Sequence, residues 1–327
     1  MIDLTGPFPG WAPEAHRLWD TCLSGTLDGR GAWGTSPRTG APALRHALAE
    51  HVGADPGELA VTSGIRGQVA ALLAGAGTLV VERPTFLSVP RLAEQYGKRV
   101  VARDWEDILA GRGFPPDSVL WITSPARNPD GRTLTQVEAD RLDALAADGA
   151  RVVVNQAYHW CAPDAPRPRR AVLLGSLHKL AGGGVSLGWR VTPGGAGHDR
   201  PAAGGPPTGW QLAWADFIGQ GGLDLLLPGA LYGPTARCRR FTQALNPPAG
   251  VRLCHGDGPS LSLVLPDGVT EQAACEELAA QGLAVGAGSA FGWHENAVRL
   301  SFTGAADDDL TGCVEGVHRA LARILPA

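Results

Sequence analysis

Val152-Val153-Val154-Asn155-Gln156-Ala157-Tyr158 is followed, a loop later, by Ala171-Val172-Leu173-Leu174-Gly175-Ser176-Leu177-His178-Lys179. Each stretch starts on apolar residues and ends on polar ones. That is how a strand buried on both faces reads when it delivers functional groups at its end. A glycine-rich turn, Gly182-Gly183-Gly184, comes next. A lysine at a strand end beside a cleft is partly desolvated, which lowers its pKa and frees the amine as a nucleophile. Lys179, with a small polar residue three positions before it and a flexible turn after, has the setting of an imine-forming amine. Taken alone, the pattern also fits a surface lysine.

On both sides of this stretch, apolar runs of strand length alternate with helical patterns. The strand runs are Leu59 to Thr62, Thr78 to Val81, Arg99 to Ala102, Val119 to Thr123, Arg151 to Val154, Val172 to Gly175 and Gly188 to Val191. Helices are predicted from Leu44, from Gln68 to Leu73, from Phe86 to Tyr96 and from Thr135 to Ala147. The alternation predicts an α/β fold, a mainly parallel sheet covered by helices on both faces, with ligands at the carboxyl ends of the strands. Gly194 to Gly209 is rich in Gly and Pro and reads as a loop. Helices follow at Gln211 to Gln220 and Leu231 to Leu245. Beyond Pro247 the texture changes. Leu261 to Leu265, Glu271 to Gln281, Leu283 to Val285, Ala297 to Phe302 and Asp308 to Leu325 suggest a small α+β domain.

Composition narrows the function. The chain has 327 residues and a net charge of −4, which argues against a nucleic-acid partner. Its six cysteines form no C-x-x-C pair, so zinc and redox roles are not indicated, and reduced thiols in a cytoplasmic protein are expected. Met1 to Trp11 lacks the pattern of a signal peptide, and no stretch reaches membrane-spanning length. The ten tryptophans are expected mostly in core or interface positions.

Three more segments stand just after predicted strands. They are Thr62-Ser63-Gly64-Ile65-Arg66, Glu82-Arg83-Pro84-Thr85-Phe86 and Asn128-Pro129-Asp130-Gly131. With Asn155-Gln156-Ala157-Tyr158 and Ser176-Leu177-His178-Lys179, they resemble the aminotransferase class I/II family of fold-type I pyridoxal-phosphate (PLP) enzymes. That family's motifs run T-x-G, E-x-P-x-Y/F, N-P-x-G, D-x-A-Y and S-x-x-K in the same order. The resemblance extends from about Gly31 to the C-terminus. It implies a large PLP domain over 32–235 with a seven-stranded type of sheet, a small domain from 1–31 and 236–327, and a homodimer with its active sites at the subunit boundary.

The resemblance assigns Lys179 the imine with PLP, and its freed amine the acid/base role. Asn128 and Tyr158 match positions that bond the cofactor's 3-oxygen; by themselves they also read as a turn asparagine and a core tyrosine. Phe86 matches the aromatic that stacks on the ring, or is ordinary core packing. Ser63, Gly64 and Ile65 precede a helix, where free N–H groups and the dipole suit a phosphate, and Ser176 matches another phosphate contact. Arg299 matches the arginine that pairs with the substrate carboxylate. Trp33, the second expected substrate-binding residue, stands near where many relatives have a tyrosine that reaches the partner subunit's phosphate.

Three departures stand out. The family's aspartate is Asn155, and a neutral amide makes the ring a weaker electron sink. The arginine seven residues after the lysine is Ser186. Trp33 replaces the tyrosine. Arg66, in the phosphate loop, is a candidate for the missing cation, entering from the opposite side. His178 beside the lysine is an extra acid/base or a spacer. Three functions follow: an aminotransferase acting on an amino acid and a keto acid; a PLP-dependent lyase, cyclase or decarboxylase in biosynthesis; or a scaffold that has lost PLP and serves as a binding module or cofactor-free enzyme.

Overall fold

A computed structural model describes residues 1–195 and 205–325. In chain order it contains β1 (Ile2–Asp3), α1 (Pro13–Leu27), α2 (Pro42–Val52), β2 (Leu59–Thr62), α3 (Val69–Leu72) and β3 (Thr78–Arg83). Then come α4 (Ser88–Gln95), β4 (Arg99–Asp104), α5 (Trp105–Leu109), β5 (Ser118–Thr123), α6 (Gln136–Ala147) and β6 (Arg151–Asn155). They lead to β7 (Val172–Ser176), α7 (His178–Ala181), β8 (Gly188–Val191), α8 (Thr208–Gly219), α9 (Gly222–Leu227) and α10 (Gly233–Ala244). The last elements are β9 (Arg252–Cys254), β10 (Ser260–Val264), α11 (Glu271–Ala280), β11 (Leu283–Ala284), β12 (Gly286–Ala287), β13 (Ala297–Ser301) and α12 (Leu310–Ile324).

All seven strand runs expected between residues 59 and 191 become strands, and among the described residues they form one sheet in the order β2-β8-β7-β6-β5-β3-β4. β8 runs antiparallel to both β2 and β7, and every other pairing is parallel. Every residue of β5 is buried, as are Val152, Val153 and Val154 of β6, because helices flank the sheet. This explains the continuous apolar runs. Helix α6 starts where its sequence says it should. The Thr135 hydroxyl accepts from the Glu138 N–H at 3.3 Å, while the Glu138 carboxylate accepts from the Thr135 N–H at 2.8 Å.

The second lobe is a four-stranded sheet, β12-β13-β10-β9, with α11 and α12 beside it. Its core includes Phe241, Leu261, Val298, Leu300 and Phe302. The N-terminal segment, expected with the small domain over 1–31, makes contacts in both lobes. Ile2 and Asp3 pair with Leu283 and Ala284, and Leu4 is buried in the small lobe. Helix α1 instead packs on α8 of the large lobe. The cause is an aromatic match: Trp19 lies 4.7 Å from Trp214 and 5.0 Å from Trp210, and Trp11 lies 5.7 Å from Phe217. Of the loop expected from Gly194 to Gly209, 196–204 lie outside the described residues, and Thr208 and Gly209 already belong to α8.

Candidate active site

Strands β5, β6 and β7 end at Thr123, Asn155 and Ser176, on one edge of the sheet. There a cleft of about 310 Å³ opens, lined by residues of five loops. Of the expected residues, Ser63, Gly64, Ile65, Arg66, Phe86, Asn128, Asn155, Tyr158, Ser176 and Lys179 all line it. Period-2 alternation and short connections put these groups on one rim.

Lys179 sits in α7 directly after β7, and its Nζ lies 4.8 Å from the centre of the Tyr158 ring. Asn128 is presented by a tight turn. The buried Arg127 guanidinium grips the Asp130 carboxylate through two hydrogen bonds, one of them Nε to Oδ1 at 2.9 Å, and lies 4.8 Å over the Trp105 ring. The Asn128 Oδ1 is buried without a hydrogen-bond partner in the protein. Such an atom costs roughly 1–3 kcal/mol unless a ligand meets it. Asn155 Oδ1 accepts from the Ala157 N–H at 3.1 Å.

At the other end stand Ser63, Gly64, Arg66, Ser176, His178 and Ser186. Gly64 adopts φ +83°, a left-handed conformation that glycine reaches without strain. A Cβ added at Gly188 would lie 2.9 Å from the Gly64 Cα and 2.4 Å from the Gly175 carbonyl oxygen, so glycine there lets three strands converge on this end. The expected helix after Gly64 is a 3-10 turn (Arg66–Gln68) running into the four residues of α3. Its dipole is accordingly short, and the Arg66 charge is the larger feature. The pairing of Thr62 with Gly188 sets the loop after β2 next to the start of β8, and Arg66 and Ser186 both line the cleft. His178 Nδ1 lies 3.2 Å from the Ser176 hydroxyl. Burial, with the Lys179 and Arg66 charges nearby, pushes its pKa down to about 3.

Two expected substrate residues are elsewhere. Trp33 is exposed on a short turn against α8, donates from Nε1 to the Leu27 carbonyl at 3.3 Å, and does not line this cleft. Arg299 is buried behind the cleft wall, donating to the Thr5 carbonyl at 2.9 Å and the Ser260 hydroxyl at 2.8 Å. Burial lowers its pKa, and the neighbouring Tyr158 offsets part of that. Trp121, Thr123 and Thr85 line the cleft without having been expected there. The signal for Trp121 and Thr123 was their period-2 spacing at the end of β5. Among the described residues, no group of three or more His, Cys, Asp or Glu side chains is placed to hold a metal, and no helix is long and apolar enough to cross a membrane.

A sheet with a lysine at its carboxyl edge, a hydroxyl- and glycine-lined end and amides at the other defines a cofactor-binding enzyme of the aminotransferase type. The chain belongs to the aminotransferase class I and II family, whose model matches residues 4–183, more than half of its length. It is thus an aminotransferase-like enzyme with PLP as cofactor. None of the curated proteins matches it. Among solved structures, the fold is similar to α-aminoadipate aminotransferase of Thermus thermophilus (TM-score 0.74, 19% identity, covering 99% of this chain and 92% of that one). It is also similar to kynurenine aminotransferase of Pyrococcus horikoshii (0.77, 20%, 100% and 92%) and a multiple substrate aminotransferase of Thermococcus profundus (0.76, 20%, 99% and 92%).

Proposed function

We propose that the protein transfers an amino group between an amino acid and a keto acid, with Lys179 as the residue that carries the cofactor and moves the proton. The observation that supports this most is Lys179 inside a cleft lined by Asn128, Tyr158, Phe86, Ser63, Gly64 and Ser176. The Asn128 NH₂ and the Tyr158 hydroxyl would donate to the 3-oxygen. Phe86 and Trp121 would flank the ring, and Asn155 would face its nitrogen. Ser63, Gly64, Ile65, Arg66 and Ser176 would hold the phosphate. When bound, PLP draws electrons from the substrate α-carbon.

The remaining chemistry belongs to the chain. The Lys179 amine, beside the Tyr158 ring, is placed to take and return the α-proton. Arg299, whose Nε is buried without a partner while Nη1 and Nη2 hold the Thr5 carbonyl and the Ser260 hydroxyl, would pair with the substrate carboxylate. His178, held neutral, can donate or accept one hydrogen bond at the phosphate end. A homodimer, supported by the exposed Trp33, is part of this reading; sedimentation as a monomer at micromolar concentration would count against it. A second reading, a lyase, cyclase or decarboxylase, is favoured by Asn155 in place of the acid.

The chain has two lysines, and Lys98 is tied to the Ala76 carbonyl at 2.8 Å. Borohydride reduction of the PLP-loaded protein should therefore label Lys179, and Lys179→Ala should abolish the label. A label on Lys98 alone would sink the cofactor assignment. Amino transfer to added keto acids then separates the two readings.

A further inference from the structure

We propose that this chain holds the pyridine nitrogen of its cofactor unprotonated, through Asn155 and through a cleft wall that contains no carboxylate. The inference rests on the cofactor reading above and concerns the electronic state that the site imposes.

Asn155 ends β6, where Thr123 is its partner on β5 and Leu174 its partner on β7. Its amide has one end committed: Oδ1 accepts from the Ala157 N–H at 3.1 Å. Turning the amide over would set its NH₂ against that N–H, two donors facing each other. The lost bond fixes the orientation. The end left for the ring is therefore the NH₂, which only donates. A neutral pyridine nitrogen offers a lone pair and accepts that bond. A protonated one offers an N–H, and donor would meet donor.

Charge acts in the same direction. The residues lining the cleft include Arg66 and Lys179 but no aspartate or glutamate. A protonated ring nitrogen would thus carry a positive charge with no carboxylate counter-ion in the cleft wall. The acid behind the wall is Glu82. It is fully buried, hydrogen-bonded to Thr123 and 3.5 Å from the Thr85 hydroxyl, with the Arg127 charge close by, and it does not itself line the cleft. His178 is the other titratable group of the lining, and it sits by the Ser176 hydroxyl at the phosphate end. An unprotonated ring withdraws electrons weakly, so reaction steps that need full delocalisation into the ring are slowed. The burden of charge stabilisation falls on groups beside the substrate α-carbon.

The test is nitrogen NMR of the protein loaded with PLP labelled with ¹⁵N in the ring. The parent should show a bound ring signal in the range of a neutral pyridine, with no coupling to an attached proton. Asn155→Asp should move it to the protonated range, and Asn155→Ala should shift it slightly further from that range by removing the donor. A protonated ring in the parent overturns the inference, even if the aspartate variant fails to fold. Absence of any bound signal overturns it too. That outcome is distinguishable, because the cofactor assignment then fails with it and the borohydride label on Lys179 disappears.

Discussion

The two ends of the Lys179 cleft have each lost a charge, and they differ in what replaces it. At the phosphate end an arginine of the family pattern is Ser186. Arg66 lines the same cleft, its loop set next to the start of β8 by the pairing of β2 with β8. At the ring end an aspartate is Asn155, and no carboxylate lines the cleft. One charge has a replacement within reach and the other has none. In the proposed reading, the cleft keeps its attraction for an anion while its effect on the ring is altered. Anchoring the cofactor and tuning it are separable tasks.

Removing Arg66 should break the comparison most clearly. A charge-assisted hydrogen bond contributes roughly 1.5–3 kcal/mol, so Arg66→Ala should raise the PLP dissociation constant roughly ten- to hundred-fold. Pyridoxal, which lacks the phosphate, should bind the variant as it binds the parent. Folding should be little changed, because Arg66 is exposed. If the variant retains PLP as tightly as the parent, the phosphate end has no substitute cation and the contrast collapses.

Returning the arginine should sharpen it. Ser186 already sits at φ +43°, so Ser186→Arg introduces no backbone strain that serine does not bear. In the Arg66→Ala background it should recover about tenfold in PLP affinity, a single charged contact. Equilibrium dialysis showing no recovery would place the phosphate away from Ser186.

The smallest effect is on stability in acid, in the cofactor-free protein. Burial holds His178 down at about 3 and His159 at about 4, so below pH 6.5 the unfolded chain binds two protons that the folded one refuses. Burial pushes Glu82 up to about 7, so between about pH 4.5 and 6.5 the folded chain holds one proton that the unfolded chain has lost. The net is one proton, and stability should fall by about 1.4 kcal/mol per unit as pH drops through that window. His178→Asn should flatten this slope in melting experiments. An unchanged slope would mean that His178 is not held neutral.

Much of this site was legible because strand burial is written locally. Apolar runs such as Val152 to Val154 mark a strand wherever it ends up, and the polar residue closing each run marks the functional edge. The small residues of Ser63-Gly64 and the Asn128-Pro129 turn carry backbone requirements that any reader of the chain can state. The surroundings of Arg299 and Trp33 were not legible because they depend on partners far away in sequence. Arg299 is held by the Thr5 carbonyl and Ser260, and Trp33 follows the turn that packs against α8.

By itself the sequence determined the strands of the large sheet, the lysine at a strand end and the chemical character of both ends of the cleft. These follow from alternation and residue type, which need no neighbours. The tertiary structure alone decided that β8 runs antiparallel between β2 and β7, that Arg66 and Ser186 line one cleft, and that α1 joins the large lobe through Trp19. Those are choices among packing partners, settled by which apolar faces and hydrogen-bond edges fit each other, and no local pattern encodes them.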